Sequence, residues 1–556
     1  MSISQRFIYF LQLSPPSLVE PVAEWLDGEM WRYLERCCGF RIPRKREPGA
    51  PHINIPLEEY DQSTYQEWVV RLPVRLYGWG FRSLKDIAGP AYIGALETAV
   101  PFMAGRGEAF IAPQMAEVWG GEDRWGIDSP WESRWTTLLE SECDEGKEVN
   151  NVWRKLQREY LTYKNWIGLD YFESLDSSVE GIGEGSVSGE TKGKILECME
   201  NARAKALSKA LENVRPVSTR AAWAWRQRDK ISCAWLLALP GSSTHITNAE
   251  FSEAAAANLC LPSPACAERI GEVIRGRVCI DEYGDNIQST SLPGDHWRTR
   301  HDSIKHLLHR LCLWSGLPVE MEVFNLFSGL VRQEGWSRIE RARQRQTLVP
   351  DMRITMLDPA EGVTRPILHE VKVISANKSR YHPNSETRAV DLRSSKLQHE
   401  YIVKARGADR LGGVETGEVG RVESKLVSLG SVRGVVCGNW GEVSEDTHAL
   451  LHTMAVSRVR VAGPSVGKRG VMRSETGEMA IVMGYLRRTL SVATIKAQCS
   501  SLLGRIEGLG PGAAAAVNRR RQAAELDRQA RLEQRAHALS VRQGWAIYRS
   551  GFAKTN

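Results

Sequence analysis

The amino-acid sequence predicts an α+β protein, with strand-type segments in the middle of the chain and helical segments on both sides. Three observations carry this. Residues 319–323, 349–354 and 367–374 alternate polar and apolar side chains with a period of two, the pattern of half-buried strands. Just before them, Ile304, Leu307, Leu308, Leu311 and Cys312 recur at helical spacing. On the flanks, residues 194–213 are rich in Ala, Leu, Lys and Glu, and residues 514–545 carry periodic Ala, Leu and Val among Arg and Gln.

Taken in order, residues 1–180 are Trp-rich and read as mostly helical. Residues 181–193, Gly-Ile-Gly-Glu-Gly-Ser-Val-Ser-Gly-Glu-Thr-Lys-Gly, read as a flexible linker. A connecting region spans 194–299 and a core spans 300–410. A small mixed region spans 411–512, with a loop at 411–420 and an apolar strand at 432–436. A basic C-terminal helix spans 513–556, behind the breakers Gly508, Gly510 and Gly512. Inside the core, Gly316 and Pro318 end the first helix, and residues 357–362 supply turn chemistry between two strands.

The chemistry concentrates on those two strands. Glu370 and Lys372 stand two residues apart and share a face. If residues 349–354 and 367–374 pair as a hairpin, Asp351 becomes a cross-strand neighbour of Glu370. Two carboxylates at one point repel each other unless a cation sits there, and Mg²⁺ prefers such oxygen ligands. A metal-bound water then serves as nucleophile, and Lys372 orients it or stabilises developing negative charge. An ordinary hairpin with a solvated Glu370–Lys372 pair is the alternative. Glu320 and Glu322 both stand ready as a further ligand, and alternation alone does not choose between them.

This stretch resembles the PD-(D/E)xK restriction-like endonuclease fold. More narrowly, it is similar to the endonuclease at the C-terminus of non-LTR retrotransposon polyproteins. Arg300-His301-Asp302-Ser303-Ile304-Lys305 resembles the Arg-His-Asn/Asp box that opens that family's first nuclease helix. Arg388, Arg393, Glu400-Tyr401 and Lys404-Ala405-Arg406 resemble its later helix, which brings a Tyr and a Lys to the cleft. Residues 72–84 and 87–95 resemble the segment that follows the polymerase palm in the same elements. The chain has no Tyr/Phe-x-Asp-Asp tetrapeptide, the metal-binding turn of such a polymerase.

The resemblance implies an α/β restriction-endonuclease-like core, a mixed sheet flanked by helices. It implies nicking of DNA with Mg²⁺ or Mn²⁺, with RNA as a further partner and a polymerase acting in trans. It assigns Asp351 and Glu370 as metal ligands and Lys372 as the water-orienting cation, and it adds Glu322, His301, Tyr401 and Lys404 to the site. The family also carries a zinc knuckle before the nuclease. Cys260, Cys266, Cys279 and His296 are the residues available for Zn²⁺, although their spacing matches no standard pattern and Asn286 stands where a ligand is expected.

Charge and composition add bounds. The net charge of +6 is modest, so its distribution matters more than its size. Arg338, Arg341 and Arg345 share one face of a helix and can grip a phosphate backbone. Residues 222–228, Ala-Trp-Ala-Trp-Arg-Gln-Arg, offer either stacking on unpaired bases or a buried Trp pair. No apolar run is long enough to span a bilayer. The N-terminus lacks the small-residue cleavage site of a secretory signal. The 11 Cys form no regular framework, which favours a reducing compartment, nuclear or cytoplasmic. Two other readings stay in play: a catalytically inactive nucleic-acid-binding remnant of a mobile element, and a structural or assembly protein.

Overall fold

The computed structural model describes residues 11, 16–44, 62–91 and 200–509, with short gaps of which 331–347 is the longest. The linker at 181–193, most of the helix expected at 194–213 and the helix expected at 514–545 lie outside the described residues. So do Arg338, Arg341 and Arg345.

The N-terminal part contributes helices α1 (Pro16–Cys38) and α2 (Gln62–Arg71). After residue 200 come α3 (Arg220–Gln227), α4 (Asn248–Asn258), the short ribbon β1 (Val273–Ile274) with β2 (Val278–Cys279), and α5 (Asp285–Ser289). A Thr247–Glu250 capping box starts α4, satisfying two backbone N–H groups that a helix start leaves free. Trp31, Tyr65, Trp68, Ala222, Ala255 and Leu259 form one core that also takes in Val390, Leu397, Val436 and Trp440 from the chain's second half. The Trp pair of α3 packs against this core, and the Trp225 indole donates to Ser208 Oγ at 2.7 Å. Arg228 is buried too, donating to Tyr65 Oη at 2.9 Å and to the Asn258 carbonyl at 2.6 Å. In this segment Trp223 and Trp225 are thus partly buried against the core, Arg228 is buried and Arg226 is exposed.

Helix α6 (His296–Trp314) buries Ile304, Leu307, Leu308, Leu311 and Cys312, the five positions picked out by spacing. Gly316 follows it at φ +78°, a conformation that L side chains rarely adopt. The chain then enters a sheet of β3 (Val319–Met321), β4 (Met352–Leu357), β5 (Thr364–Val373) and β6 (Val432–Cys437), in that spatial order. β4 runs antiparallel to both β3 and β5, and β6 joins β5 in parallel. A parallel neighbour needs a crossover. It is provided by α7 (Ala389–Leu411) and α8 (Arg421–Ser428). Two long helices complete the described residues, α9 (Glu445–Ala462) and α10 (Glu475–Glu507). Among the described residues no helix is long and apolar enough to cross a membrane.

Strand alternation decides what each face meets. Met352, Ile354, Met356 and Val371 point toward α6, α9 and α10, where they pack with Leu308, Leu451 and Leu486. Each such side chain, fully buried, contributes roughly 1.5–3 kcal/mol. Leu368 and Val432 point the other way, onto Tyr401, Ala405 and Ala408 of α7 and Val422 and Leu426 of α8. Opposite Glu370 in β6 stands Gly434. A Cβ there would lie 2.3 Å from Ser394 Oγ, so glycine lets α7 sit directly on the sheet. The sheet thus extends past the 300–410 segment expected from sequence. Its fourth strand and two covering helices come from residues 432–507.

Two buried acids tie these parts together. Asp229 Oδ1 accepts from the Ile231 and Ser232 N–H groups at 2.8 and 3.0 Å. Its Oδ2 accepts from the Val443 N–H at 2.8 Å and from Arg388 and His448, both at 3.2 Å. Glu442 accepts from the Tyr381 hydroxyl and the Trp440 N–H, each at 2.8 Å. Burial still pushes its carboxyl up to about 7.

Candidate active site

Three acids line up just past the end of β3, just before the start of β4 and within β5. The β3–β4 register pairs Met321 with Met352, and the Glu322 N–H continues the ladder by donating to the Asp351 carbonyl at 2.9 Å. The β4–β5 register pairs Met352 with His369, which puts Asp351 opposite Glu370 one step further on. Glu322, Asp351 and Glu370 therefore form one cross-strand row, and Lys372 stands two residues beyond Glu370 on the same face. Of the two candidates in the first strand, Glu322 joins this row. Glu320 instead pairs with Arg353 further along the sheet.

Asp351 is the centre of the row. Its Oδ2 accepts from the Val371 N–H at 2.9 Å and faces His301 Nε2 at 3.0 Å. Burial works to raise its carboxyl, but the hydrogen bond and charge of His301 and the Val371 N–H outweigh it, and the group lies below the usual carboxylate range. His301 Nδ1 faces Asp302 Oδ1 at 3.1 Å. A neutral imidazole has only one N–H, so donating to both carboxylates requires the protonated ring. Consistent with this, burial lowers the His301 pKa but its contacts with Asp351 and Asp302 raise it by more.

Glu370 is held from two sides. Lys372 pairs with its Oε1, and the buried Tyr401 hydroxyl of α7 donates to Oε2 at 2.7 Å. Burial and the Glu370 charge both push the Tyr401 phenol upward, keeping it a donor. Lys404, one turn further along α7, places its Nζ 5.2 Å from the Tyr401 ring centre and is exposed. Lys372 is 34% exposed and Glu322 46%, so the row opens to solvent at its ends. The neighbouring His369 lies on the buried face, where burial pushes it down to about 4 and keeps it neutral.

The structure thus brings together Asp351, Glu370, Lys372, Glu322, His301, Tyr401 and Lys404. It also gives contacts to residues of the Arg300–Lys305 segment that sequence reasoning quoted without an individual role. Arg300 is buried and donates to Ser375 Oγ at 2.9 Å and Gln288 Oε1 at 3.2 Å, fixing the start of α6 against the end of β5. Asp302 orients His301. Lys305, one turn after His301, donates to Glu322 Oε1 at 2.7 Å. The sequence signal for Lys305 was its i, i+4 spacing from His301, which places both on one helical face.

The expected zinc ligands are not gathered. Cys260 lies in the N-terminal core beside Tyr65, Cys266 packs with Ile280, Ile287 and Leu502, and Cys279 is exposed. Burial raises the Cys260 thiol and pushes Cys266 up to about 11.

Among the described residues no three His, Cys, Asp or Glu side chains converge as a ready-made metal site. In the carboxylate row the reason is visible: Glu322 is turned to Lys305, Asp351 to His301 and Glu370 to Lys372. The donor set itself is all carboxylate oxygen, the chemistry that suits Mg²⁺ or Mn²⁺. Comparison with protein-family models finds no match for the chain, and comparison with curated proteins finds none either.

Proposed function

We propose that this chain is a Mg²⁺- or Mn²⁺-dependent DNA endonuclease with a restriction-endonuclease-like core of non-LTR retrotransposon descent, nicking one strand. The observation that carries the reading is the row of Glu322, Asp351 and Glu370 with Lys372 on the same face. The order of elements supports it: a helix, three antiparallel strands, a two-helix crossover and a parallel fourth strand. Asp351 and Glu370 would hold the ion, with Glu322 as a further ligand. A bound divalent ion supplies an activated water at neutral pH and offsets charge on the scissile phosphate.

The chain's own groups do the positioning. The Val371 N–H and His301 fix Asp351, and Tyr401 fixes Glu370. Lys372 offers a point-charge donor to the attacking water or to a phosphate oxygen. Lys404 extends positive charge along α7 toward the DNA backbone. A polymerase acting in trans then extends the 3′-hydroxyl.

The test is nicking of supercoiled plasmid by the purified chain. Relaxed circles that form with Mg²⁺, disappear with chelator and are absent for Lys372→Ala support the proposal. Equal nicking by Lys372→Ala refutes the assignment. DNA binding with no cleavage in any divalent ion selects the inactive remnant instead.

A further inference from the structure

We infer that Lys305 is a resident counter-cation of the carboxylate row, and that its ammonium competes with a divalent ion for Glu322 and Asp351. The inference rests on the endonuclease reading and goes beyond it, since that reading gives Lys305 no role. Lys305 Nζ lies 2.7 Å from Glu322 Oε1, 3.3 Å from Asp302 Oδ1 and 3.9 Å from Asp351 Oδ1. Its side chain is only 5% exposed, so it is not a solvated surface pair. A buried ammonium persists only where anions compensate it, and three surround this one. Glu322 sits at φ +51°, unfavourable for a residue with a side chain. The Lys305 contact and the ladder hydrogen bond to Asp351 both hold it there.

The consequence follows from charge. Without an ion, Lys305 and His301 neutralise acids that would otherwise repel one another. A carboxylate that ligates a divalent ion gives its oxygen to that ion and surrenders the ammonium. The ion also meets the repulsion of a fixed positive charge a few ångströms away. Lys305 therefore stabilises the ion-free fold and weakens metal binding, so the ion is held loosely enough to exchange. Lys305 is a positioning residue, acting on phosphate chemistry only through the acids.

The experiment is Mn²⁺ titration of the full chain by calorimetry and by Mn²⁺ electron paramagnetic resonance, with melting temperatures read with and without Mn²⁺. Lys305→Met is expected to bind Mn²⁺ at least about tenfold tighter than the unmodified chain, from the charge removed at this distance. It melts lower without Mn²⁺ and regains most of the loss with it. Lys305→Arg keeps the charge and restores the unmodified affinity. Should Lys305→Met fail to fold, Lys305→Gln, which keeps a polar group, reports the same affinity change. Unchanged or weaker Mn²⁺ binding in the uncharged variant overturns the inference while leaving the endonuclease reading intact. Absence of Mn²⁺ binding in the unmodified chain and the variants alike overturns both.

Discussion

Replacing Tyr401 with Phe removes one oxygen and tests whether Glu370 is held in place. The Tyr401 hydroxyl donates to Glu370 Oε2 at 2.7 Å and lies 3.4 Å from the Val349 carbonyl. The ring itself packs with Leu368, Ala405 and Ala408, and Phe keeps that packing. The loss is then confined to a hydrogen bond on a carboxylate, worth about 1.5–3 kcal/mol net. Lys372 still pairs with the other oxygen, so the charge stays partly compensated. We expect a stability loss of about 2 kcal/mol, a fall of roughly 2 °C in melting temperature by calorimetry for a chain of this length. With Glu370 free to turn, Mg²⁺-dependent nicking falls roughly 10–100-fold, as for loss of an outer-shell partner of a metal ligand. A melting temperature within about 0.5 °C of the unmodified chain, below the shift expected here, together with unchanged nicking would refute the orienting role.

Other consequences concern the frame around the site. Asp229→Ala strands the buried Val443, Ile231 and Ser232 N–H groups and removes an anion from Arg388, so it should cost about 3–5 kcal/mol in chemical denaturation. A loss under about 1 kcal/mol, the scale of an exposed ion pair, would contradict its place as a pin between the two halves. Glu442 has a folded pKa raised from 4.5 to about 7. The stability linked to it is complete below about pH 4.5 and is lost as pH rises through about 7, to a total of about 3 kcal/mol. Glu442→Gln should flatten the stability–pH curve across that window, and a curve of unchanged slope would count against the burial of a protonated acid.

The site was legible because its geometry is local. Period-two alternation put Glu370 and Lys372 on one face, and a short hairpin connection was enough to place Asp351 opposite Glu370. The helix ahead of the sheet was legible from five apolar positions, all of them buried. Lys305 was hidden for the opposite reason. A lysine on an amphipathic helix reads as solvated, whereas Lys305 is enclosed by Asp302, Glu322 and Asp351. Helix α10 escaped because its buried residues include Thr489, Ser491, Thr494, Gln498 and Ser501, which blur any apolar stripe. The fourth strand looked like an isolated apolar run. Its parallel pairing with β5 crosses two helices, and no local pattern encodes such a contact. The zinc expectation came from the family resemblance and not from spacing, and two of the three cysteines sit in separate apolar clusters.

The most direct measurement is crystallography of the full chain grown with Mn²⁺, using anomalous scattering to locate the ion. The account predicts a peak within ligand distance of Asp351 and Glu370, about 2.0–2.3 Å as for carboxylate oxygens on ions of this size, with Glu322 swung away from Lys305. Well-ordered carboxylates with no peak among them, or a peak bound elsewhere on the chain, would contradict it.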